Sequence, residues 1–166
     1  MDTTHQYQQP QPGDIICIAG KLGQHTATPD AEAHYLAQSN CVHAITDIQD
    51  GIDTGIKRIM ERNGVSAEIQ LEDLPLGNTL TQQYGSQLSK LYQIALHDGH
   101  FFELIAAVHH AHFADLNAEY TRRFGITLHA IGHIVEGCAT KVNYIENAFG
   151  AMPYGSLWEH FADNNV

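Results

Sequence analysis

Three carboxylates gather where an apolar run turns into a helical pattern: Asp47, Asp50 and Asp53, in the stretch His-Ala-Ile-Thr-Asp-Ile-Gln-Asp-Gly-Ile-Asp at residues 43–53. The first half of the stretch reads as a buried strand, and Ile52, Ile56, Ile59 and Met60 fall at helical spacing beyond it. A strand therefore feeds a helix directly. Such corners hold phosphates and metal ions in α/β chains, because a helix N-terminus attracts anions. Phosphoryl transfer needs Mg²⁺ held by several oxygens, and Asp47 and Asp50 are the candidate metal ligands here. The motif offers too few ligands for a complete octahedral shell. The structural alternative is that Asp50 caps the helix, worth ~1 kcal/mol, that Asp47 merely ends the strand, and that Asp53 sits in the first turn.

The histidines are the second chemical feature, 12 in 166 residues, with local groups His97/His100 and His109/His110/His112. Pairs at these spacings can reach one metal ion, but no cysteine accompanies them at ligand spacing, so a zinc site is not specified. Solvated or core histidines are the alternative, and a titrating cluster would confer pH sensitivity between about pH 5 and 8. Cys41 stands two residues before His43 at a strand start, a placement that says little about nucleophile geometry. No Gly-x-x-x-x-Gly-Lys phosphate loop occurs, and Gly51 and Gly55 do not make a dinucleotide fingerprint.

The chain that must position these groups has the size of one domain and an ordinary soluble composition, 43% hydrophobic and 16% charged. Eight Lys and Arg stand against 19 Asp and Glu, for a net charge of -11, which argues against nucleic acid or an anionic membrane as partner. The first residues are polar and Gln-rich, unlike a signal peptide, and no run approaches membrane-spanning length. Cys17, Cys41 and Cys138 are odd in number and scattered, which suits reduced thiols in a cytoplasmic protein.

In chain order, residues 1–12 read as a flexible leader and 13–166 as a single domain. Residues 14–19 form a continuous apolar strand, 21–28 a loop, and Pro29 opens a short helix to about Ser39. Asn63-Gly64 closes the helix after the corner as a left-handed cap. A strand over 65–71 and a turn at Leu74-Pro75-Leu76 follow, then one long amphipathic helix over 79–97 broken by Asp98-Gly99. Residues 101–108 read as a buried strand, 114–124 as a helix, and 126–136 as an alternating strand in which Gly132 and Gly137 suggest a bulge or hairpin turn before 141–145. Residues 149–166 are turn-rich and carry Trp158.

Taken in order, these segments resemble the C-terminal domain of the PurM-like, aminoimidazole-ribonucleotide-synthetase-related superfamily, and within it thiamine-monophosphate kinase most closely. The strand and Gly-containing loop Gly13-Asp14-Ile15-Ile16-Cys17-Ile18-Ala19-Gly20-Lys21-Leu22-Gly23 are similar to the start of that domain. Asp47-Ile48-Gln49-Asp50-Gly51-Ile52 matches its Asp-Ile-Ser-Asp-Gly-Leu corner, Asn63-Gly64-Val65 its Ser-Gly-Val, and Leu74-Pro75-Leu76 its Leu-Pro-Leu turn. Ile131-Gly132-His133-Ile134-Val135-Glu136-Gly137 resembles Ile-Gly-x-Ile-x-x-Gly, and residues 154–161 are loosely similar to the Gly-Tyr-Asp-His-Phe ending. The family's substrate-contacting Gly-Gly-Glu-Asp-Tyr-Glu-Leu reads Asp98-Gly99-His100-Phe101-Phe102-Glu103-Leu104 here, so its first two acids are gone. The family's N-terminal domain, with further metal-binding aspartates, has no counterpart in these 166 residues.

The resemblance implies an α+β fold, a mixed sheet of five to seven strands packed by helices. It implies nucleotide or phosphate contacts at Asp47, Asp50 and Gly51 with ATP and Mg²⁺ as cofactors, a small-molecule pocket faced by His97, Asp98, Gly99, His100 and Glu103, and Trp158 stacked on a flat ring. The expected activity, if catalytic, is an ATP-dependent phosphotransferase or ligase-type subunit. It would act on a small-molecule phosphate or nucleotide, with a separately encoded N-terminal-domain partner or as a homo-oligomer. The alternative is a non-catalytic binding or regulatory module that kept the fold.

Overall fold

The computed structural model describes residues 9–61, 64–137, 141–146 and 152–153. Its centre is β1 (Ile15–Ala19), whose apolar run needs burial on both sides. Ile16 and Ile18 enter one core, and Cys17 and Ala19 enter another on the opposite face. The first core is closed by α2 (Ile52–Met60), which contributes Ile52, Ile56, Ile59 and Met60, all fully buried and each worth roughly 1.5–3 kcal/mol of transfer free energy. The second is closed by α1 (Asp30–Gln38) through Leu36 and by α5 (Phe113–Phe124) through Leu116 and Tyr120.

Around β1 the sheet runs β2-β4-β1-β5-β3-β6-β7, with β2 (Val42–Asp47), β3 (Val65–Gln70), β4 (Leu104–Val108), β5 (Leu128–Glu136), β6 (Val142–Glu146) and β7 (Met152–Pro153). Every pairing is antiparallel except β3 with β6, so the sheet is mixed and the class is α+β. β5 carries a bulge: Ile16 faces Gly132 while Cys17 faces Ala130, leaving Ile131 as the extra residue. A Cβ on Gly132 would stand 2.0 Å from the Glu68 carbonyl oxygen, so only glycine lets β3 come this close. Because β6 pairs in parallel with β3, no hairpin joins it to β5, and the bulge is the correct one of the two alternatives the glycines suggested.

Three elements differ from the sequence expectation. The single helix over 79–97 is instead α3 (Asn78–Tyr84), α4 (Leu88–Gln93) and a wider π-turn at Ile94–Asp98. Gly85 and Ser86 are weak helix formers, and α3 buries none of its residues, so no packing overrides the break. The strand expected from Phe101 starts only at Leu104. The helix after the corner ends at Met60 with Glu61 extended, and the left-handed residue is Gly64, at φ +61°, well past the helix end. Asn63, Cys138 and Trp158 lie outside the described residues.

Candidate functional site

The corner between β2 and α2 is built by Gly51. The Gly51 amide donates to the Ile48 carbonyl at 3.0 Å, closing a tight turn, and its φ of +100° swings the chain straight into the helix. Gly51, not Asp50, occupies the N-cap position, and among the described residues no side chain caps α2. The capping role considered for Asp50 therefore does not hold. A glycine at a φ that side chains avoid took that place, and the Asp50 carboxylate turns instead to Arg58, at 2.5 Å from Nη2.

Arg58 also faces Asp47, with Nη1 at 3.9 Å. Lys57 Nζ stands 2.7 Å from Asp53, and the Tyr144 hydroxyl donates to the same carboxylate at 2.5 Å. Each acid of the corner thus faces a cation carried by α2. Lys57 four residues after Asp53 is a spacing readable from sequence. Arg58 is eleven positions from Asp47 and eight from Asp50 and was not singled out, although two helical turns from the start of α2 bring it back to the same face.

The segment from His97 to His100 comes to this corner. His100 Nδ1 lies 3.0 Å from the Gln49 carbonyl oxygen, and the Leu96 and His97 carbonyls back onto Gly51. His97, Asp98 and His100 are exposed and Gly99 is half-buried. The structure therefore brings Asp47, Asp50 and Gly51 together with His97, Asp98, Gly99 and His100.

Glu103 is placed elsewhere. It is 0% exposed, and its oxygens accept the amides of Gly23 at 2.8 Å and His25 at 2.7 Å, with His25 Nδ1 at 2.6 Å. The other ring nitrogen of His25 faces Glu32 at 3.0 Å, and the Tyr120 hydroxyl donates to Glu32 as well. Burial, with Glu32 beside it, pushes the Tyr120 phenol far above its ordinary range. This network fixes the loop after β1 from beneath. His25 and Glu32 had no sequence signal for it, since 78 residues separate His25 from Glu103.

Of the remaining histidines, His43, His110 and His112 gather around the His109 ring, with centroids 5.9, 4.7 and 5.3 Å from it. The His109 and His110 rings stack at 4.7 Å, and His109 Nδ1 accepts the Ala111 amide at 3.2 Å. Among the described residues no group of three or more His, Cys, Asp or Glu side chains is arranged to hold a metal ion. Cys17 is buried, its thiol pushed up to about 12 by burial, and Cys41 is pushed up for the same reason, so neither is an activated nucleophile. Among the described residues no helix is long and apolar enough to cross a membrane.

No family model matches the chain. In sequence it is 32% identical over 103 residues to a thiamine-monophosphate kinase of Rhodopirellula baltica, covering 58% of this chain and 33% of that protein. It is 28% identical over 153 residues to that of Haemophilus influenzae, covering 77% and 46%. In structure, the thiamine-monophosphate kinase of Stenotrophomonas maltophilia superposes with a TM-score of 0.64 at 22% identity, over 82% of this chain and 52% of that one. The fold is that of a PurM-like C-terminal domain, as in thiamine-monophosphate kinase. AaThiL complexed with AMPPCP and TMP gives a TM-score of 0.59 at 20% identity over 81% and 49% of the two chains. The hydrogenase maturation protein HypE in complex with ATP gives 0.68 at 15% over 88% and 50%. The chain spans less than half the length of the curated relatives it matches.

Proposed function

We propose that this PurM-like domain binds ATP with Mg²⁺, or another small phosphorylated molecule, at the corner formed by Asp47, Asp50 and Gly51. The observation that carries this reading is the meeting of the side-chain-free N-terminus of α2 with the exposed His97–His100 segment, which puts unpaired helix amides beside polar groups from a second element. That the structural neighbours include proteins solved with ATP, and with AMPPCP and TMP, supports it. Arg58 and the α2 amides would face phosphate oxygens, and His97, Asp98 and His100 the acceptor.

Asp47 and Asp50 fit a magnesium ion only in part. They are two oxygen-bearing groups at one corner, both facing Arg58, and among the described residues no third ligating side chain completes a group. The rest of a shell would come from phosphate oxygens and from another polypeptide segment, the role a second domain, a partner chain or a second copy would fill. Trp158, outside the described residues, would stack on the flat ring of such a ligand.

The pairing of every corner carboxylate with Arg58 or Lys57 favours a second reading, a binding or regulatory module without phosphotransfer, because acids neutralised by their own helix are not free to gather metal. Calorimetric titration with ATP and Mg²⁺ tests the first reading. Saturable binding that Asp47→Ala and Asp50→Ala each weaken is expected. No binding, or binding indifferent to both substitutions, would overturn it. Light scattering on the same samples reads whether the domain assembles.

A further inference from the structure

At the opposite end of β2 from Asp47, about 13 Å along the strand, a separate cavity of about 510 Å³ opens between α1, the start of β2 and α5. Its size suits a small ligand. Its floor holds an unusual group. His43 is only 3% exposed, and its Nδ1 lies 2.6 Å from Oδ2 of Asp14, itself 1% exposed. A carboxylate can only accept, so Nδ1 donates, and Nε2 is the ring nitrogen left for a ligand. No described residue hydrogen-bonds to Nε2, and His43 lines the cavity.

Two carboxylates in the wall point to the same ligand chemistry. Asp115 lines the cavity without an ion pair or hydrogen bond to its side chain among the described residues. Glu119, at the rim, is paired with Arg122 at 2.5 Å, which holds its carboxyl below the ordinary range. Among the described residues no Lys or Arg lines the cavity, while Tyr35 and the rings of His109 and His112 supply flat surfaces. In the tautomer that places the Nδ1 proton on the Asp14 side, Nε2 of His43 and the exposed Asp115 carboxylate both take N–H donors, and the two carboxylates of the wall favour positive charge.

We propose that this cavity is a binding site for a small planar cation rich in N–H donors, of the amidinium or guanidinium class, held between Nε2 of His43 and the carboxylate of Asp115. The bulge in β2 explains how the sheet can offer such a group: Val42 faces Val108 and Ala44 faces Ala107, so His43 is the extra residue and leaves the regular alternation. The site is independent of the corner, which shares no residue with it.

Calorimetric titration of the whole chain with benzamidine, with benzoate as the anionic control, tests the proposal. Saturable benzamidine binding without benzoate binding is expected, weakened about tenfold by Asp115→Asn and by His43→Gln, and unchanged by Asp47→Ala. Asp115 is on the surface, so its variant folds even where the His43 substitution disturbs Asp14. Absence of benzamidine binding, equal binding of benzoate, insensitivity to Asp115→Asn, or a loss on Asp47→Ala equal to that on Asp115→Asn would each overturn it.

Discussion

The carbonyl oxygen of Leu96 stands 2.7 Å from the point that a Cβ on Gly51 would occupy. The corner and the π-turn are thus packed backbone to backbone, at a residue whose φ is +100°. Gly51→Ala would meet both the left-handed strain and a collision with a carbonyl that cannot swing aside. A loss on the order of 2 kcal/mol is expected, which for a domain of this size lowers the melting temperature by roughly 4–8 °C. Thermal unfolding followed by circular dichroism reads it directly, and an unshifted midpoint would mean that the two segments are not locked together.

Glu103 gives a second, larger effect. Both of its oxygens are engaged at zero exposure, so Glu103→Ala leaves the amides of Gly23 and His25 and the His25 ring without their acceptor. Removing one partner of such a buried charged network costs about 3–5 kcal/mol. Urea unfolding should show that loss for Glu103→Ala and a smaller one for Glu103→Gln, which keeps one acceptor oxygen. In a double substitution with His25→Ala the losses should fall short of additivity by at least about 0.5 kcal/mol. A Glu103→Ala variant as stable as the parent would return Glu103 to the set of freely available pocket groups.

How far the sequence reached can be read from these residues. β1 and α2 were legible because an apolar run buried on two faces and a helical stripe ending in Ile59 and Met60 leave little choice of element. The corner was legible as a place, since strand and helix abut at Asp47-Ile48-Gln49-Asp50-Gly51. The role of Asp50 was not, because a capping aspartate and one facing Arg58 look alike until the φ of Gly51 is known. Glu103 and His25 were beyond local reasoning altogether, as their contact exists only once β1 and β4 lie side by side. The split of the long helix was written in Gly85 and Ser86, but the apolar spacing on either side outweighed them.

Arg58 offers a test specific to the proposed nucleotide site. Its guanidinium is 34% exposed in the side chain and its Asp50 partner 61%, so the pair contributes at most about 1 kcal/mol to stability after solvent screening. Arg58→Ala should therefore unfold in urea within about 1 kcal/mol of the parent. Its effect on ligand binding should be larger and depend on the ion. Without Mg²⁺, ATP would meet carboxylates no longer offset by a guanidinium and bind about tenfold more weakly, whereas with Mg²⁺ Asp47 and Asp50 would face the metal in place of Arg58 and recover part of the loss. Equal losses with and without Mg²⁺ would show that the two aspartates do not take part.

Glu146 provides the pH dependence. It lies at the end of β6, 3% exposed, and burial together with the nearby Glu72 raises its carboxyl above the ordinary 4.5. The same pair of acids, after burial, helps push the Tyr92 hydroxyl up to about 12. A carboxyl whose folded value is raised favours folding only while it is protonated. Its contribution is complete below 4.5, where the unfolded chain also holds the proton, and is lost as pH rises through the raised folded value. Glu146→Gln removes that loss. The variant and the parent should melt at similar temperatures near pH 4, the variant should gain progressively as pH rises above that, and the difference should level off once pH has passed the raised folded value. Melting curves that stay parallel from pH 4 to pH 7 would show that Glu146 ionises as freely in the folded chain as in the unfolded one.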